Sequence, residues 1–166
     1  MGKEERKRLE QYCYDGSRHF SIREASTKET SLCSDKVEAL AQMEKNNAKM
    51  DELQAKLYAA KKEGVIFLFQ AMDAAGKDGT IRSVLTCLSP HGVHEAAFKA
   101  PSSDELAHDF LWRIVKQVPA KGEIAIFNRS QYEDVLIGKV RELYRKQAHA
   151  DRIDEDTVME DRYTDI

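Results

Sequence analysis

The spacing of hydrophobic residues predicts one long helix in the first part of the chain. After a polar stretch, Asp35 and Glu38 form a capping-box-like start. Apolar residues then recur at steps of three, four or seven positions before Gly64, namely Val37, Leu40, Met43, Met50, Leu53, Leu57 and Ala60. This spacing is typical of a helix with one face toward a core, and it spans too few heptads for a coiled coil.

Three short apolar segments beyond Gly64 predict strands. Val65–Phe69 is a continuous apolar run rich in branched and aromatic side chains, which favours a strand buried on both faces. Val93–Phe98 and Ile124–Phe127 are the second and third segments.

Each predicted strand is followed by a predicted helix. The first helix begins within Gly76–Ile81, the second at a Ser102/Glu105 capping box, and the third at a Ser130/Glu133 pair of the same type. The inner faces carry apolar residues at helical spacing: Ile81, Val84, Leu85 and Leu88; then Leu106, Phe110, Ile114 and Val118; then Val135, Leu136, Val140, Leu143 and Tyr144.

The order of these elements determines the fold class. Strands that alternate with helices pair in parallel, so we predict an α/β fold of three layers, a parallel sheet with helices on both faces. Ligands of such folds bind beyond the carboxyl ends of the strands. We place this domain at residues 35–150, between an N-terminal arm at 1–34 and an acidic tail at 151–166.

The composition describes a soluble protein. The chain has 166 residues, of which 42% are hydrophobic and 33% charged. No window approaches the roughly 18 apolar residues of a membrane span, and the first residues lack the apolar core of a signal peptide, so we expect no membrane association and a cytoplasmic location. Three cysteines without a CxxC pair predict reduced thiols.

Charge is distributed unevenly along the chain. The tail holds seven acidic and two basic side chains, so residues 1–150 carry a net charge of +2 although the whole chain carries −3. A polyanionic substrate fits this balance. The absence of a strong basic excess argues against a dedicated nucleic-acid binder.

The loop after the first predicted strand has the character of a phosphate-binding loop. The pattern GxxxxGK[ST] is approached with Ala71 in place of the first glycine and Asp78 in place of the hydroxyl residue. A strand, this loop and a helix would direct backbone N–H groups and a helix N-terminus at one phosphate, with Lys77 adding a positive charge. The residues expected to cradle phosphate are Ala74, Ala75, Gly76, Asp78, Gly79 and Thr80.

Asp73 and Asp78 are the candidates for binding a metal ion at this loop. Magnesium normally takes an oxygen ligand from the missing Ser or Thr, so another donor is required. Asp73 is equally suited to capping the helix, and Asp78 to complementing its dipole. Of the two, we favour Asp73 as the metal-linked residue.

Asn128 and Arg129 follow the third predicted strand. In a phosphate-loop enzyme, the residue that ends this strand helps to hold the metal, and a neighbouring arginine neutralises the transferred phosphoryl group. No HExxH or GxSxG pattern occurs, so metalloprotease and serine-hydrolase functions are excluded.

Three segments in this order resemble the polyphosphate kinase 2 family, whose members transfer phosphoryl groups between inorganic polyphosphate and nucleotides. They are QAMDAAGKDGTIRSVL, FKAPSSDELAHDFLWR and GEIAIFNRSQYEDVL, within a likeness that runs from about Asp35 to about Arg145. The sequence looks closest to members with Asn-Arg-Ser at the third strand, which phosphorylate nucleoside monophosphates as well as diphosphates. The resemblance implies a P-loop kinase-like, Mg2+-dependent phosphotransferase acting on polyphosphate and AMP, ADP or ATP.

The resemblance also implies roles for single residues. Asp73 and Lys77 match the loop residues implied in magnesium and phosphate binding, and Arg129 matches an arginine implied in phosphate contact. Asn128 stands where many members have a metal-linked aspartate. Basic positions expected near phosphate or nucleotide are Arg82, Lys99 and Arg113, and Glu133 matches an acid that accompanies the Asn-Arg-Ser pattern, whereas Gln131 replaces an expected histidine.

Members of the family continue with further strands and an arginine-bearing lid helix. We therefore expect an incomplete sheet of about three strands in a fragment, a shortened gene product or half of an assembly. With the strand order 2-3-1-4-5 of related kinases, the first strand lies at an exposed edge, which favours a homo-oligomer. Two alternative functions stay open: a catalytically silent module that binds polyphosphate or nucleotide, and an ATP-dependent nucleoside monophosphate kinase.

Overall fold

The structure, a computed structural model, describes residues 9–10, 12–26, 32–147, 149–150 and 153–166. The chain divides into two compact units, Met1–Asn46 and Asn47–Ile166. Of the predicted N-terminal arm, residues 1–8, 11 and 27–31 lie outside the described residues. No helix within the described residues is long and apolar enough to cross a membrane.

Helix α1, Lys36–Ala60, begins where the sequence predicts. The carboxylate oxygen Oδ1 of Asp35 accepts hydrogen bonds from the backbone nitrogens of Val37 at 2.8 Å and Glu38 at 2.9 Å. These bonds satisfy two of the N–H groups that the first turn of a helix leaves without partners. Asp35 therefore caps the helix, as the sequence predicts.

Three parallel strands form the sheet, and each agrees with its prediction to within one residue. They are β1, Val65–Phe69; β2, Val93–Ala97; and β3, Ile124–Asn128. Strand β3 lies between the other two and pairs with both in parallel. This is the predicted order 2-3-1, and it brings the carboxyl ends of all three strands to one edge.

Helices cover both faces of the sheet, which confirms the three-layer α/β architecture. On one face, Ile81 and Leu85 of α2, Lys77–Leu85, pack with Ile126 of β3 and with the half-buried Phe67 and Phe69 of β1. On the other, Ala125 and Phe127 of β3 pack with Ile114 of α4, Trp112–Val115. The alternation of side chains along β3 supplies both clusters.

The prediction that β1 is buried on both faces is wrong. Its side chains alternate, and Ile66 and Leu68 are 41% and 38% exposed. In the strand register they lie beside Ala125 and Phe127, on the face that α4 covers. Strand β1 is an edge strand of the described sheet, and the core cluster on this face does not extend over it.

The predicted inner face of α1 is also only partly correct. Met43, Met50 and Leu57 are half-buried, but Val37, Leu40 and Leu53 are 77%, 51% and 51% exposed. The buried side chain of this helix is polar. Gln54 donates to the carbonyl oxygens of Ser89 at 2.8 Å and His91 at 3.0 Å, and accepts from the Ser89 nitrogen at 2.8 Å.

The helix predicted after β2 is interrupted. Its first part, α3, is Ser103–Leu106, and the predicted Ser102/Glu105 capping box is present with both hydrogen bonds. The chain then leaves the helix before α4, and Oδ1 of Asp109 accepts from the Leu111 nitrogen at 2.9 Å. Such local side-chain bonds compete with helical ones. Of the four predicted inner-face residues, Ile114 is buried, whereas Leu106 and Val118 are exposed.

The helix predicted after β3 is broken in the same way. The structure has α5, Tyr132–Val135; α6, Ile137–Val140; and a 3-10 helix, Leu143–Lys146. Glu142, with a φ of 50°, is left-handed and separates the last two. A right-handed helix does not continue through such a residue.

Helix α7, Val158–Asp165, lies in the segment that we describe from sequence as an acidic tail. Its Val158 and Met159 are buried against Val135 and Tyr144. The sequence of this segment is dominated by seven acidic residues, so the two adjacent apolar residues that pack against α5 do not stand out as part of a helix. No helix is predicted here from the sequence.

Candidate phosphate site

The loop after β1 is shaped by two residues with positive φ. Ala74 has a φ of 63° and Gly76 a φ of 88°. Gly76 is the N-cap residue of α2 and provides no side-chain hydrogen bond to the helix. Because glycine has no side chain that could accept from the first N–H groups of α2, these groups can face an anion, which the helix dipole also favours. Met72–Gly79 and Arg129 line one concave surface here.

Lys77 reaches across the edge of the sheet to the end of β3. Its Nζ donates to Oδ1 of Asn128 at 2.5 Å and to Oδ1 of Asp78 at 3.1 Å. The amide nitrogen Nδ2 of Asn128 donates to Asp78 at 2.9 Å and to Oε1 of Glu95 at 3.1 Å. The hydrogen bonds from Asn128 and then from Lys77 hold the pKa of the Asp78 carboxyl below its ordinary value.

Arg129 begins the loop after β3 in a left-handed conformation with a φ of 68°. Its backbone nitrogen donates to the carbonyl oxygen of Phe69 at 2.9 Å, so it still pairs with β1. Its guanidinium contacts Asp73 through Nη2 and Oε2 of Glu133 through Nη1, the latter at 3.1 Å. A non-glycine residue in this region is strained by about 1–2 kcal/mol, and such strain is frequent at functional sites.

The Ser130/Glu133 capping box expected from sequence is wrong. Gln131 is the N-cap residue of α5, and its side chain makes no capping bond. The Glu133 carboxylate instead contacts Arg129 and Gln70, and Oγ of Ser130 accepts from the Tyr132 nitrogen at 3.2 Å. The carboxylate is thus directed toward Arg129 and Gln70 and not toward the start of α5.

The three remaining basic residues have different surroundings. Arg82 is exposed on α2, and Lys99 is exposed in the loop after β2. Arg113 is buried, where it donates to the carbonyl oxygen of Lys99 at 2.8 Å and pairs with Oδ2 of Asp134 at 3.1 Å. Its partners give Arg113 a structural role in fastening the loop after β2. Its contact with phosphate or nucleotide stays a prediction.

A cavity of about 380 Å³ opens at the carboxyl ends of β2 and β3, beside the start of α2. Lys77, Lys99 and Arg129 line it, and Asp78 is the one acid among its lining residues. Three cations at one cavity suit a polyanion, which would displace the carboxylates that now pair with Lys77 and Arg129. All four residues are named from the sequence: Lys77 and Asp78 by the phosphate-loop pattern, Arg129 by its place after the third strand, and Lys99 by the family resemblance.

Sequence reasoning missed three polar residues that support this site. Gln70 contacts Glu133, Glu95 contacts Asn128, and Asp134 neutralises the buried Arg113. Gln70 directly follows β1, a position that predicts proximity to a ligand site. Glu95 and Asp134 carry no such signal, because their partners lie far away in the sequence.

A comparison with known protein families finds a match, which includes the three motif segments. The model of the family Polyphosphate kinase 2 matches residues 33–165. The chain belongs to the polyphosphate kinase 2 family. This confirms the resemblance drawn from the three motifs, and the match continues into α7, beyond Arg145, where the likeness in the sequence analysis ends.

Two curated relatives are similar over the central part of the chain. The AMP/ADP-polyphosphate phosphotransferase of Meiothermus ruber is 50% identical over 111 residues, which are 67% of this chain and 40% of the relative. The ADP-polyphosphate phosphotransferase of Rhodopseudomonas palustris is 52% identical over 92 residues, which are 55% of this chain and 32% of the relative. The chain thus spans less than half the length of these polyphosphate kinase 2 relatives.

The crystal structure of polyphosphate kinase 2 from Arthrobacter aurescens TC1 has the same fold. It superposes with a TM-score of 0.77 at 39% identity, over 92% of this chain and 51% of that protein. The P-loop kinase-like α/β architecture expected from the sequence is confirmed. The roles assigned to the individual site residues stay predictions.

Proposed function

We propose that this chain is a phosphotransferase that moves phosphoryl groups between inorganic polyphosphate and AMP or ADP. The observation that supports this most directly is the cavity at the carboxyl ends of the strands, lined by Lys77, Lys99 and Arg129 in front of α2. The named activities of the relatives in Meiothermus ruber and Rhodopseudomonas palustris supply the substrate class.

The proposed reaction is a direct transfer between two phosphate groups. A phosphate oxygen of the nucleotide attacks the terminal phosphorus of the polyphosphate, and the bond from that phosphorus to its bridging oxygen breaks. AMP becomes ADP, or ADP becomes ATP, and the polyphosphate is shortened by one unit. The protein contributes position and charge, because phosphoryl transfer asks for little covalent chemistry.

Lys77 and Arg129 would act on opposite sides of the transferred group. Lys77 extends from the start of α2 to the end of β3, and Arg129 extends from the end of β3 back to Asp73 of the loop. Both cations therefore connect the end of β3 to the segment that runs from the phosphate loop into α2, and a phosphoryl group would lie between these parts. In the resting arrangement, Asn128, Asp78, Asp73 and Glu133 occupy their donors. A bound phosphate would take over part of these contacts.

Asp73 fits a role in holding Mg2+. No group of three or more His, Cys, Asp or Glu ligands occurs in the described part of the chain, so a resident metal cage is not present there. Magnesium characteristically uses one or two carboxylates together with substrate phosphates and water. The Asp73 side chain is 87% exposed on the phosphate loop and can supply such a carboxylate. Bound there with substrate, Mg2+ would neutralise charge on the phosphates.

An assay of the purified chain with Mg2+, polyphosphate and AMP or ADP tests this function. We expect ADP or ATP to form, and chelation of Mg2+ by EDTA to stop the reaction. Lys77→Ala should lower kcat by at least about a hundredfold, the usual effect of removing a donor that stabilises developing charge. Lys121→Ala removes an exposed lysine in the turn before β3 and should leave the rate unchanged.

Two results would contradict the proposal. Transfer to AMP from ATP but not from polyphosphate would identify an ATP-dependent nucleoside monophosphate kinase. Folded protein that binds tripolyphosphate without turnover would identify a binding module.

A further inference from the structure

A chain of hydrogen bonds connects the end of β1 to the loop after β3. The amide nitrogen Nε2 of Gln70 donates to Oε1 of Glu133 at 2.6 Å. Its amide oxygen Oε1 accepts from Oγ of Ser130 at 3.2 Å. Ser130 is fully buried, and the Glu133 side chain is 14% exposed. Both polar atoms of Gln70 are therefore engaged by residues more than fifty positions away in the sequence.

These hydrogen bonds extend through Glu133 to the guanidinium of Arg129. Glu133 uses Oε1 for Gln70 and Oε2 for Nη1 of Arg129, at 3.1 Å. With one oxygen held by Gln70, the carboxylate cannot rotate freely about its terminal bond. Arg129 departs from β3 with a left-handed backbone, and its guanidinium is held by Glu133 on one side and by Asp73 on the other.

We infer that Gln70 is a positioning residue, which fixes the Glu133 carboxylate and through it the Arg129 guanidinium at the phosphate site. This inference rests on the proposed function, in which Arg129 faces the transferred phosphoryl group. The amide is the chemically required group. An acid at position 70 would face the Glu133 carboxylate, and an apolar residue would provide no donor.

Removal of the amide should lower the rate more than it weakens substrate binding. Gln70→Leu keeps a similar volume, and we expect kcat to fall by about ten- to a hundredfold, as found for residues that orient metal ligands through hydrogen bonds. KM for polyphosphate should change much less, because Lys77 and Lys99 are untouched. Gln117→Leu is the matched control, since it removes a half-buried amide from the segment after α4. Equal kcat values in Gln70→Leu and the wild type would overturn the inference.

A carboxylate at position 70 should make the activity depend on pH in a new way. In Gln70→Glu, two facing carboxylates repel each other when both are ionised and form a hydrogen bond when they share one proton. The activity relative to the wild type should therefore rise as the pH is lowered from about 8 to about 6. A side chain that serves only packing would leave the shape of the pH profile unchanged, and that result would contradict a positioning role.

The position of Arg129 can also be measured without turnover. The side-chain Nε–H resonance of Arg129, assigned by its loss in Arg129→Lys, should be resolved in the wild type because the guanidinium is held. In Gln70→Leu it should move toward the signals of exposed arginines, and in Gln117→Leu it should stay in place. An unchanged resonance in Gln70→Leu overturns the inference. This readout separates the two proposals, because a chain without phosphotransfer activity fails the proposed function while the resonance still decides the role of Gln70.

Discussion

Arg113 and Arg129 show how the surroundings of a basic residue determine what it can do. The Arg113 side chain is 7% exposed and its partner Asp134 is 10% exposed, whereas Arg129 is 31% exposed in the cavity lining. Burying a charged pair carries a desolvation cost, which the mutual attraction and the bond to the Lys99 carbonyl offset. Arg113 therefore connects α4 to the loop after β2 and to α5. The partly exposed guanidinium of Arg129 instead lies in the lining of a cavity that a ligand can enter.

The buried pair predicts a specific pattern of stability changes. Asp134→Leu should lower the free energy of unfolding by about 3–5 kcal/mol, because it leaves the Arg113 guanidinium buried without its counter-charge. Arg113→Leu with Asp134→Leu should be far less destabilised than the sum of the single variants, since neither charge then remains. Urea denaturation of the three variants measures the difference. Additive changes would show that the two side chains do not act as a pair.

The strands were predictable and the helices beyond β2 were not, for physical reasons. Val65–Phe69 and Ile124–Phe127 are short, continuous and apolar, so their own residues specify these strands. The helical pattern after Ser102 also has the right spacing, but it breaks at Asp109, whose carboxylate bonds the backbone two residues later. Such a break depends on which side-chain bond prevails in the folded chain. The spacing of hydrophobic residues does not show whether the backbone forms the helical bond or the side-chain bond.

The candidate site also combines residues that the sequence predicts with contacts that it does not predict. Lys77, Asn128 and Arg129 were predictable because strand ends in a parallel sheet converge on one edge. The contact of Gln70 with Glu133 spans 63 positions and was not, because one sequence does not show which distant polar residues meet. Glu133 was assigned a cap in the sequence analysis for this reason. Its spacing from Ser130 fits a capping box, but Arg129 and Gln70 bind the carboxylate instead.

Gln54 attaches the second half of α1 to the turn between α2 and β2, and it yields a prediction at the level of these elements. Gln54→Leu should lower the free energy of unfolding by about 2–4 kcal/mol, because it leaves two carbonyl groups and one N–H group of Ser89 and His91 without partners. Chemical denaturation measures this change. Gln42→Leu, earlier in the same helix, should change stability by less than about 0.5 kcal/mol. A Gln54→Leu variant as stable as the wild type would mean that leucine packing replaces these bonds.

The sheet is unevenly covered when the second unit is considered as a whole. Strand β3 is buried on both faces, and the α4 cluster on the Ala125 face reaches β2 but not β1. Ile66 and Leu68 are exposed on β1, and Met72 in the following loop is 83% exposed. Among the described residues, β1 pairs only with β3. A strand edge with an adjacent apolar surface is a template for association with another chain.

We therefore expect this chain to self-associate through β1, which the sequence also favours. Light scattering during size-exclusion chromatography should give a mass that rises above that of a single chain as the concentration increases. Leu68→Lys should shift the protein toward the single chain, because a charged side chain on an edge strand opposes pairing and is costly to desolvate. Val140→Lys is the matched control, since it places the same charge on an 80% exposed valine of α6. A single-chain mass at every concentration would contradict self-association, and equal dissociation by both variants would contradict its location at β1.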